Sequence, residues 1–245
     1  MEDTRQARPT PAVENYLAAI YIMERDGETV IGRKLADWLG VSAPTVTVTV
    51  RRMIENGWVE MLADKSIHLT DAGREAAIAV VQRHMLVELL LARILGVPWS
   101  RVHEEADRIE HSLSAETAAR VAHVVEYAQL CPHGNPMPGH EDVTADLVPL
   151  LEMEIGVDYT LARIHEEAER NADMMAFLER NQLLPGSRIR LLERVPVNET
   201  VTVLCNGKRV VLGMSVARCM WVSEISEPES ETSASKQDGE PDGQS

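Results

Sequence analysis

Four potential metal ligands share one helical stripe near the middle of this chain, and that stripe constrains the fold more than any other feature. The segment His103-Glu-Glu-Ala-Asp107-Arg-Ile-Glu110-His111 places two imidazoles and two carboxylates at positions i, i+4, i+7 and i+8. At about 100° per residue these positions lie on one face of an α-helix. Such a face normally carries apolar residues that meet a core. We therefore interpret this helix as half of a metal site and expect the other ligands elsewhere in the chain.

A second pair of ligand types precedes the stripe. His84 and Glu88 stand at i, i+4 in a long predicted helix from Asp71 to about Leu95, and the break at Gly96-Val-Pro separates that helix from the stripe. Two adjacent helices could therefore bring both groups together. The alternative is a pair of helices with surface charges and histidines satisfied by ordinary hydrogen bonds. It explains any one of these residues more easily than it explains all six.

The stripe also comes close to the zinc-hydrolase motifs H-E-x-x-H and H-x-x-E-H without matching either. Asp107 replaces one histidine in each motif. A hydrolase additionally needs an open coordination position with a base beside it. We therefore favour metal binding without catalysis over an intracellular metal-dependent hydrolase.

Composition limits the partners and the compartment. The 245 residues are 44% hydrophobic with a formal net charge of −15, so the chain can bury real cores, and any DNA contact must come from a local surface. Cys131, Cys205 and Cys219, widely spaced, fit reduced thiols in a cytoplasm better than disulfides. The apolar runs are too short to span a bilayer, and the first residues lack signal-peptide character. We therefore expect a cytoplasmic protein.

The N-terminal part has the pattern of a winged helix-turn-helix. Helices are predicted from Thr10-Pro11 to about Gly27, from Gly32 to Leu39, and from a Ser42 cap to Glu55. Two short alternating segments then predict a β-hairpin wing. The third helix presents small hydroxyls, a β-branched methyl and arginines, which suit base edges, the thymine methyl and phosphates in a major groove. We favour binding to double-stranded DNA over a winged helix used for protein contacts. The predicted DNA-contacting residues are Ser42, Pro44, Thr45, Thr47, Val48, Arg51, Arg52, Arg33, Lys34 and Lys65.

The second half of the chain changes character. A helix is predicted from Ala115 to about Leu130, followed by a rigid loop that begins at Cys131-Pro and by an acidic linker. Several short strands with turn signals then predict a small β-barrel. The last residues are acidic and poor in apolar side chains and should be disordered.

The chain resembles the iron- and manganese-dependent repressors of the diphtheria-toxin-repressor family, over residues 11 to about 222. The resemblance implies a mainly α fold with a small β domain, in which the helical part is a dimerisation and metal-binding domain and the barrel is an SH3-like (FeoA-type) domain. The implied boundaries are residues 1–72, 73–139, 140–157 for the linker, 158–224, and 225–245 for the acidic tail. The matching motifs are Glu14-Asn15-Tyr16-Leu17, His84-x-x-x-Glu88, Val102-His103-x-Glu105-Ala106, Glu110-His111 and Cys131-Pro-x-Gly-x-Pro-x-Pro.

The resemblance also implies two metal sites per chain, a homodimer and operator DNA as the partner. Iron-type members carry Met and Cys where this chain has Asn15 and Asp107, and hard oxygen ligands suit Mn²⁺ better than softer metals. We therefore favour Mn²⁺, with Fe²⁺ as the alternative. Val48 stands where iron-type members carry a base-reading Gln, so the resemblance does not imply the operator sequence of those members. The implied primary ligands are Asn15, Asp107, Glu110 and His111, and the implied ancillary ligands are His84, Glu88, His103, Glu166 and Glu169.

These expectations describe a switch that breaks no bond. A metal held by ligands from both the DNA-binding domain and the dimerisation helices would set the spacing of two recognition helices in a homodimer, and the chain would act as a repressor of metal-homeostasis genes. The metal shifts an existing equilibrium by its difference in affinity for the two states.

Overall fold

A winged helix-turn-helix begins the computed structural model, which describes residues 9–225. Ser42 caps the third helix as predicted, since its hydroxyl oxygen accepts a hydrogen bond from the Thr45 backbone N–H at 3.3 Å. Gly40 ends the second helix at φ +64°, in the left-handed region that favours glycine. The predicted motif is thereby confirmed. Its elements are α1 (Pro11–Arg25), α2 (Gly32–Leu39), α3 (Ala43–Glu55), and the wing strands β1 (Val59–Met61) and β2 (Ile67–Leu69).

A long helix, α4 (Asp71–Leu89), leads from the wing into the helical domain. Its first turn packs directly on the wing, since a Cβ on Gly73 would lie 1.8 Å from the carbonyl oxygen of Trp58. The helix then continues into a π-helical turn over Leu90–Ile94. The following elements are a 3-10 turn (Trp99–Arg101), α5 (Val102–Ile109), a second 3-10 turn (Glu110–Ser112) and α6 (Ala115–Val124).

Two of these helices end earlier than their sequence patterns predict. α5 stops before Glu110 and His111, which lie in the following 3-10 turn, where the winding is tighter and the stripe is broken. α6 stops well before Leu130 because Glu126 and Tyr127 adopt left-handed conformations, at φ +62° and +47°. Neither end carries a glycine or proline, so apolar periodicity alone could not locate it.

The C-terminal part is the predicted small β domain with an SH3-like architecture. Its elements are β3 (Val148–Pro149), β4 (Asp158–Ile164), α7 (Glu166–Glu169), α8 (Ala172–Arg180), β5 (Arg188–Val195), β6 (Thr200–Cys205), β7 (Lys208–Gly213), α9 (Met214–Ala217) and β8 (Met220–Glu224). Within residues 9–225 the sheet has the order β3-β8-β4-β5-β6-β7, and the neighbouring strands are antiparallel. Along β6, Val201, Val203 and Cys205 alternate inward as a strand requires. The four-residue helices α7 and α9 were not predicted, since so few residues carry little periodicity.

Two large hydrophobic cores organise the described part of the chain. Leu17 of α1, Met53 of α3 and Leu89 of α4 belong to one core, which the winged helix and the long helices therefore share. The barrel has its own core. The loop after α6 lies against the barrel, because a Cβ on Gly134 would lie 2.0 Å from the carbonyl oxygen of Ala162 in β4. The winged helix, the helical domain and the barrel thus meet around α1, α4 and this loop.

No helix within residues 9–225 combines the length and the apolar character needed to cross a membrane. The predicted acidic tail lies outside the described residues, apart from its first residue, Ile225.

Candidate metal centre

Four side chains from three helices converge on one point between the helical domain and the barrel. They are His84 and Glu88 of α4, His103 of α5 and Glu169 of α7, and one ligand atom from each lies within 4.8 Å of the others. Nε2 of His84 lies 3.0 Å from Nδ1 of His103, and that Nδ1 lies 2.9 Å from a carboxylate oxygen of Glu169. The structure thus brings together four of the five residues predicted for the ancillary site.

Two further residues of the same region were not predicted as ligands. Cys131 and His133, from the loop after α6, approach Glu88 so that ligand atoms of the three lie within 4.8 Å of one another. Nδ1 of His133 lies 3.4 Å from a carboxylate oxygen of Glu88 and 3.4 Å from one of Glu169. A cysteine and a histidine two positions apart in a rigid loop were the available sequence signal, but a loop has no periodicity that would orient them.

Within residues 9–225, two buried polar atoms of this cluster have no hydrogen-bond partner. They are Oε2 of Glu88 and Nδ1 of His133. The 3.4 Å separation between these two residues is an ion-pair distance without hydrogen-bond alignment. Unpaired buried polar atoms are costly, and a cation is one group that would satisfy a carboxylate oxygen and an imidazole nitrogen together. The donor set therefore fits a divalent metal.

The acids and imidazoles of the cluster also stabilise one another's charged forms. Burial opposes charge in each case, yet Glu88 and Glu110 raise the pKa of His84 well above its usual value. Glu169 and Glu88 likewise raise the pKa of His103 to about 10. The imidazoles of His133 and His84 hold the pKa of Glu88 well below its usual value. A metal bound here would compete with imidazole protons, so its affinity should fall in acid.

The residues predicted for the primary site lie beside this cluster but do not all meet. Asn15, Asp107 and Glu110 line one cavity of about 90 Å³, which His84 also lines. Nδ1 of His84 lies 2.6 Å from Oε2 of Glu110 and 3.4 Å from Oδ1 of Asp107. His84 therefore stands between the two predicted sites, since its Nε2 faces the ancillary cluster.

His111 is held by a residue that was not predicted, Glu14 of α1. Its Nδ1 lies 2.7 Å from Oε2 of Glu14, and its Nε2 lies 3.3 Å from Oε1 of Glu110. Arg83 of α4 donates to the other oxygen of Glu14 at 3.0 Å. The 3-10 turn after α5 thus directs His111 towards α1. A glutamate on the buried face of α1, next to a predicted ligand, was the signal for Glu14.

Glu166 lies apart from the ancillary cluster, although the prediction placed it there with Glu169. Its carboxylate accepts hydrogen bonds from Arg25 of α1 at 2.8 and 3.0 Å and from Arg163 of β4 at 3.1 Å. Burial favours the neutral acid, but these two guanidiniums lower the pKa of Glu166 to about 2. A metal at Glu166 would have to displace both arginines.

The residues predicted to contact DNA lie at the surface. Val48 is 70% exposed on α3, and Lys65 occupies the tip of the wing at φ +66°. Two of the cationic side chains pair with carboxylates. Arg51 donates to Glu55 at 3.1 Å, and Lys34 donates to Glu28 at 2.6 Å. The exposed members of the predicted set are Ser42, Pro44, Thr45, Thr47, Val48, Arg51, Arg52, Arg33 and Lys65, and Lys34 is partly exposed.

Family models match most of this chain. Residues 10–67 match an iron dependent repressor N-terminal DNA binding domain, and residues 70–139 match an iron dependent repressor metal binding and dimerisation domain. Residues 148–224 match a FeoA domain.

Individual proteins are similar over nearly the same span. The iron-dependent repressor IdeR of Mycobacterium tuberculosis is 32% identical over 223 residues, which cover 86% of this chain and 96% of that protein. The diphtheria toxin repressor of Corynebacterium diphtheriae is 31% identical over 221 residues, with the same coverage of 86% and 96%. Among solved structures, a manganese-dependent transcriptional repressor in complex with manganese superposes with a TM-score of 0.76 at 31% identity, covering 87% of this chain and all of that one.

Proposed function

This chain belongs to the iron-dependent repressor family and is a metal-dependent transcriptional regulator, and we propose that Mn²⁺ is the metal that activates it. The observation that carries the metal site is the convergence of His84, Glu88, His103 and Glu169, with an unpaired buried oxygen on Glu88. The proposed genes under its control are those of metal-ion homeostasis, and the proposed compartment is the cytoplasm.

We propose two metal ions per chain. The primary set is Asn15, Asp107 and Glu110 together with Nε2 of His111, because Glu14 accepts from the other nitrogen of that ring. These ligands are oxygens and an imidazole, which suits Mn²⁺. The ancillary set is His84, Glu88, His103 and Glu169, with His133 as a further ligand. We assign Glu166 to its ion pairs with the two arginines.

The proposed mechanism follows from where the primary ligands stand in the fold. Asn15 belongs to α1 of the winged helix, whereas Asp107 belongs to α5 of the helical domain. One cation shared between them would hold the winged helix in a fixed orientation on the dimerisation helices. The energy that selects this orientation is the difference in metal affinity between the ordered and the looser arrangement.

A homodimer is the proposed assembly, and an exposed apolar surface supports it. Ile94 is 54% exposed, Leu95 63% and Ile109 39%. They belong to the end of the π-helical turn and of α5, two segments whose buried residues Leu91 and Ala106 share one small core. Two copies of α3 related by a two-fold axis would then read the two halves of an operator in double-stranded DNA.

The direct test is a DNA mobility assay with the gene's own upstream promoter and titrated Mn²⁺, Fe²⁺ or Zn²⁺. We expect Mn²⁺ to shift the operator at the lowest free concentration. Asp107→Ala should abolish the metal-stimulated shift while leaving a folded dimer, and Asp146→Ala, which removes an exposed acid elsewhere, should behave like the unaltered chain. If Mn²⁺ does not change operator binding, or Asp107→Ala retains full metal dependence, the proposal is wrong.

Fe²⁺ is the second candidate, and Cys131 is the observation that favours it. Its sulfur lies within reach of Glu88 and His133, and sulfur ligands favour softer or later metals. Burial and the nearby acids Glu88 and Glu169 raise the pKa of this thiol well above its usual value, which disfavours the thiolate. Titration under anaerobic conditions decides: activation by Fe²⁺ at lower free concentration than Mn²⁺ would select iron.

A further inference from the structure

A continuous series of hydrogen bonds, buried except at its last residue, runs from the ancillary cluster to the DNA-binding domain. The amide nitrogen of Asn135 donates to Oε1 of Glu169 at 2.6 Å. Nε of Arg163 donates to the amide oxygen of Asn135 at 2.6 Å. Nη2 of Arg163 then donates to Oδ2 of Asp26, the residue that ends α1, at 2.8 Å. Three hydrogen bonds therefore connect a proposed metal ligand in the barrel with the end of the first helix.

The orientation of the Asn135 amide in this series of hydrogen bonds is fixed by its surroundings. Its side chain is fully buried, and the amide nitrogen also donates to the backbone oxygen of Ile164 at 2.8 Å. The amide oxygen accepts from a donor that cannot act as an acceptor, Nε of Arg163. Reversing the amide would face its nitrogen towards Arg163 and its oxygen towards Glu169, and both contacts would be lost. A displacement of Glu169 would therefore displace Arg163 as well, through the amide of Asn135.

The other end of this hydrogen-bond series, at Asp26 and Arg163, also has further contacts. His165 donates to Oδ2 of Asp26 at 2.7 Å, and the guanidinium of Arg163 lies 5.2 Å from the ring centre of Trp221 in the barrel. Asp26, His165 and Glu166 also have ligand atoms close enough together to hold a cation. The guanidiniums of Arg25 and Arg163 already supply the positive charge there, so this end is an ion-pair junction.

The placement of this network argues for a role beyond stability. A buried ion pair is often no more stabilising than packed apolar residues of similar volume. Here it lies where α1, the loop after α6 and the barrel meet, and α1 carries the proposed primary ligand Asn15 near its other end. Both metal sites can therefore act on one helix.

We propose that Asn135 and Arg163 are positioning residues that couple the ancillary metal site to the end of α1, and hence to the orientation of the DNA-binding domain. This inference rests on the proposed function, because it needs a metal at the cluster that contains Glu169. A metal at the cluster would hold Glu169 in place. Through Asn135 and Arg163, it would also hold Asp26 in place relative to the barrel.

Hydrogen exchange with and without MnCl2 tests the coupling without any DNA. The amides of Asp26, Gly27 and Glu28 bond to carbonyl oxygens of the last turns of α1, and their exchange reports whether this end is held. In the unaltered chain Mn²⁺ should slow their exchange about fivefold or more. Arg163→Met should lose this Mn²⁺ effect yet still bind Mn²⁺, measured by the electron paramagnetic resonance signal of the free ion.

A second variant and a matched control separate coupling from folding. Asp26→Asn removes the charge and one of the two oxygens that accept from Arg25, Arg163 and His165, so it weakens the same connection at its partly exposed end and keeps the test available if Arg163→Met does not fold. Arg190→Met removes an arginine that pairs with Asp158 on another part of the barrel, at 2.9 Å, and should keep the full Mn²⁺ effect.

The outcomes distinguish this inference from the proposed function. If the unaltered chain binds no Mn²⁺, the proposed function fails. If it binds Mn²⁺ and slows exchange, but Arg163→Met and Asp26→Asn slow it equally, the relay through Asn135 and Arg163 is wrong. A uniform loss of protection with and without Mn²⁺ would reveal a purely structural role and would also overturn it.

Discussion

Glu14 shows at the scale of one residue how a site can differ from its pattern. The resemblance points to Asn15, which the structure leaves exposed, whereas the neighbouring Glu14 is 5% exposed and contacts both His111 and Arg83. A carboxylate that accepts from one imidazole nitrogen orients the ring and leaves the other nitrogen free to bind a metal. A glutamate on the apolar face of α1 can be read from the sequence. Its contact with His111 cannot, because that contact depends on how the chain turns after α5.

Replacing Glu14 by glutamine should weaken metal binding although Glu14 is not itself a proposed ligand. Gln keeps the size of the side chain but loses the charge that holds His111 and Arg83. Residues that support a metal ligand typically change affinity by about 10- to 100-fold, and we expect Glu14→Gln to raise the Mn²⁺ dissociation constant of the primary site within that range. The free Mn²⁺ signal in a titration measures it directly.

The control for this variant is Glu60→Gln, which removes an exposed acid from the wing strand β1 and leaves the metal sites untouched. Equal Mn²⁺ affinities for the two variants would show that Glu14 does not orient His111.

At the scale of elements, the ends of the helices determine which side chains meet, and periodicity alone does not predict this. The resemblance implied that Glu166 and Glu169 share a metal, yet of these two residues of α7 it is Glu169 that lies in the cluster. Glu166 begins this four-residue helix and meets Arg25 on α1. The positions of the helices α1 to α4 and of most barrel strands follow from local caps, turns and alternation, whereas β3 lies in the segment predicted as a linker. Which side chains meet across elements does not follow from these local signals, because it depends on how the barrel docks against α1.

The junction of α1 with α7 predicts how stability depends on pH. Burial opposes ionisation of Asp26, but His165 and Arg25 hold its pKa well below the usual range. A carboxyl whose pKa is lowered by folding adds stability above its unfolded pKa of about 3.9, and this contribution is lost as pH falls through the folded value. His165 has a raised pKa, against the effect of burial, because it donates to Asp26, so its contribution is lost instead as pH rises.

Asp26→Asn should therefore be less stable than the unaltered chain at pH 6 by on the order of 2 kcal/mol, and the difference should shrink as the pH falls below about 4. Urea unfolding at several pH values measures both free energies. A difference that stays constant between pH 6 and pH 3 would mean that the ionised carboxylate contributes nothing to this junction.

On the scale of the whole molecule, the winged helix and the long helices form one packed body, while the barrel has its own core. The three-part fold could be predicted because each part has its own local pattern. The contacts between the parts could not, since Asn135 in the loop and Arg163 in β4 have no neighbours in sequence that reveal their partners. The proposed metal sites lie where these parts meet, and the dimer should extend the helical body.

The exposed apolar surface of the helical domain gives the last prediction. In a two-fold interface each residue meets the same surface of the partner, so one glutamate at Leu95 places two charges in the apolar contact. Leu95→Glu should weaken the dimer by about 2 kcal/mol or more, which is roughly a thirtyfold rise in dissociation constant. Sedimentation velocity measures it, and the number of Mn²⁺ ions bound per chain should stay the same. Val197→Glu, at a position 88% exposed on the barrel, is the matched control. If both variants remain equally dimeric, the dimer forms through a different surface.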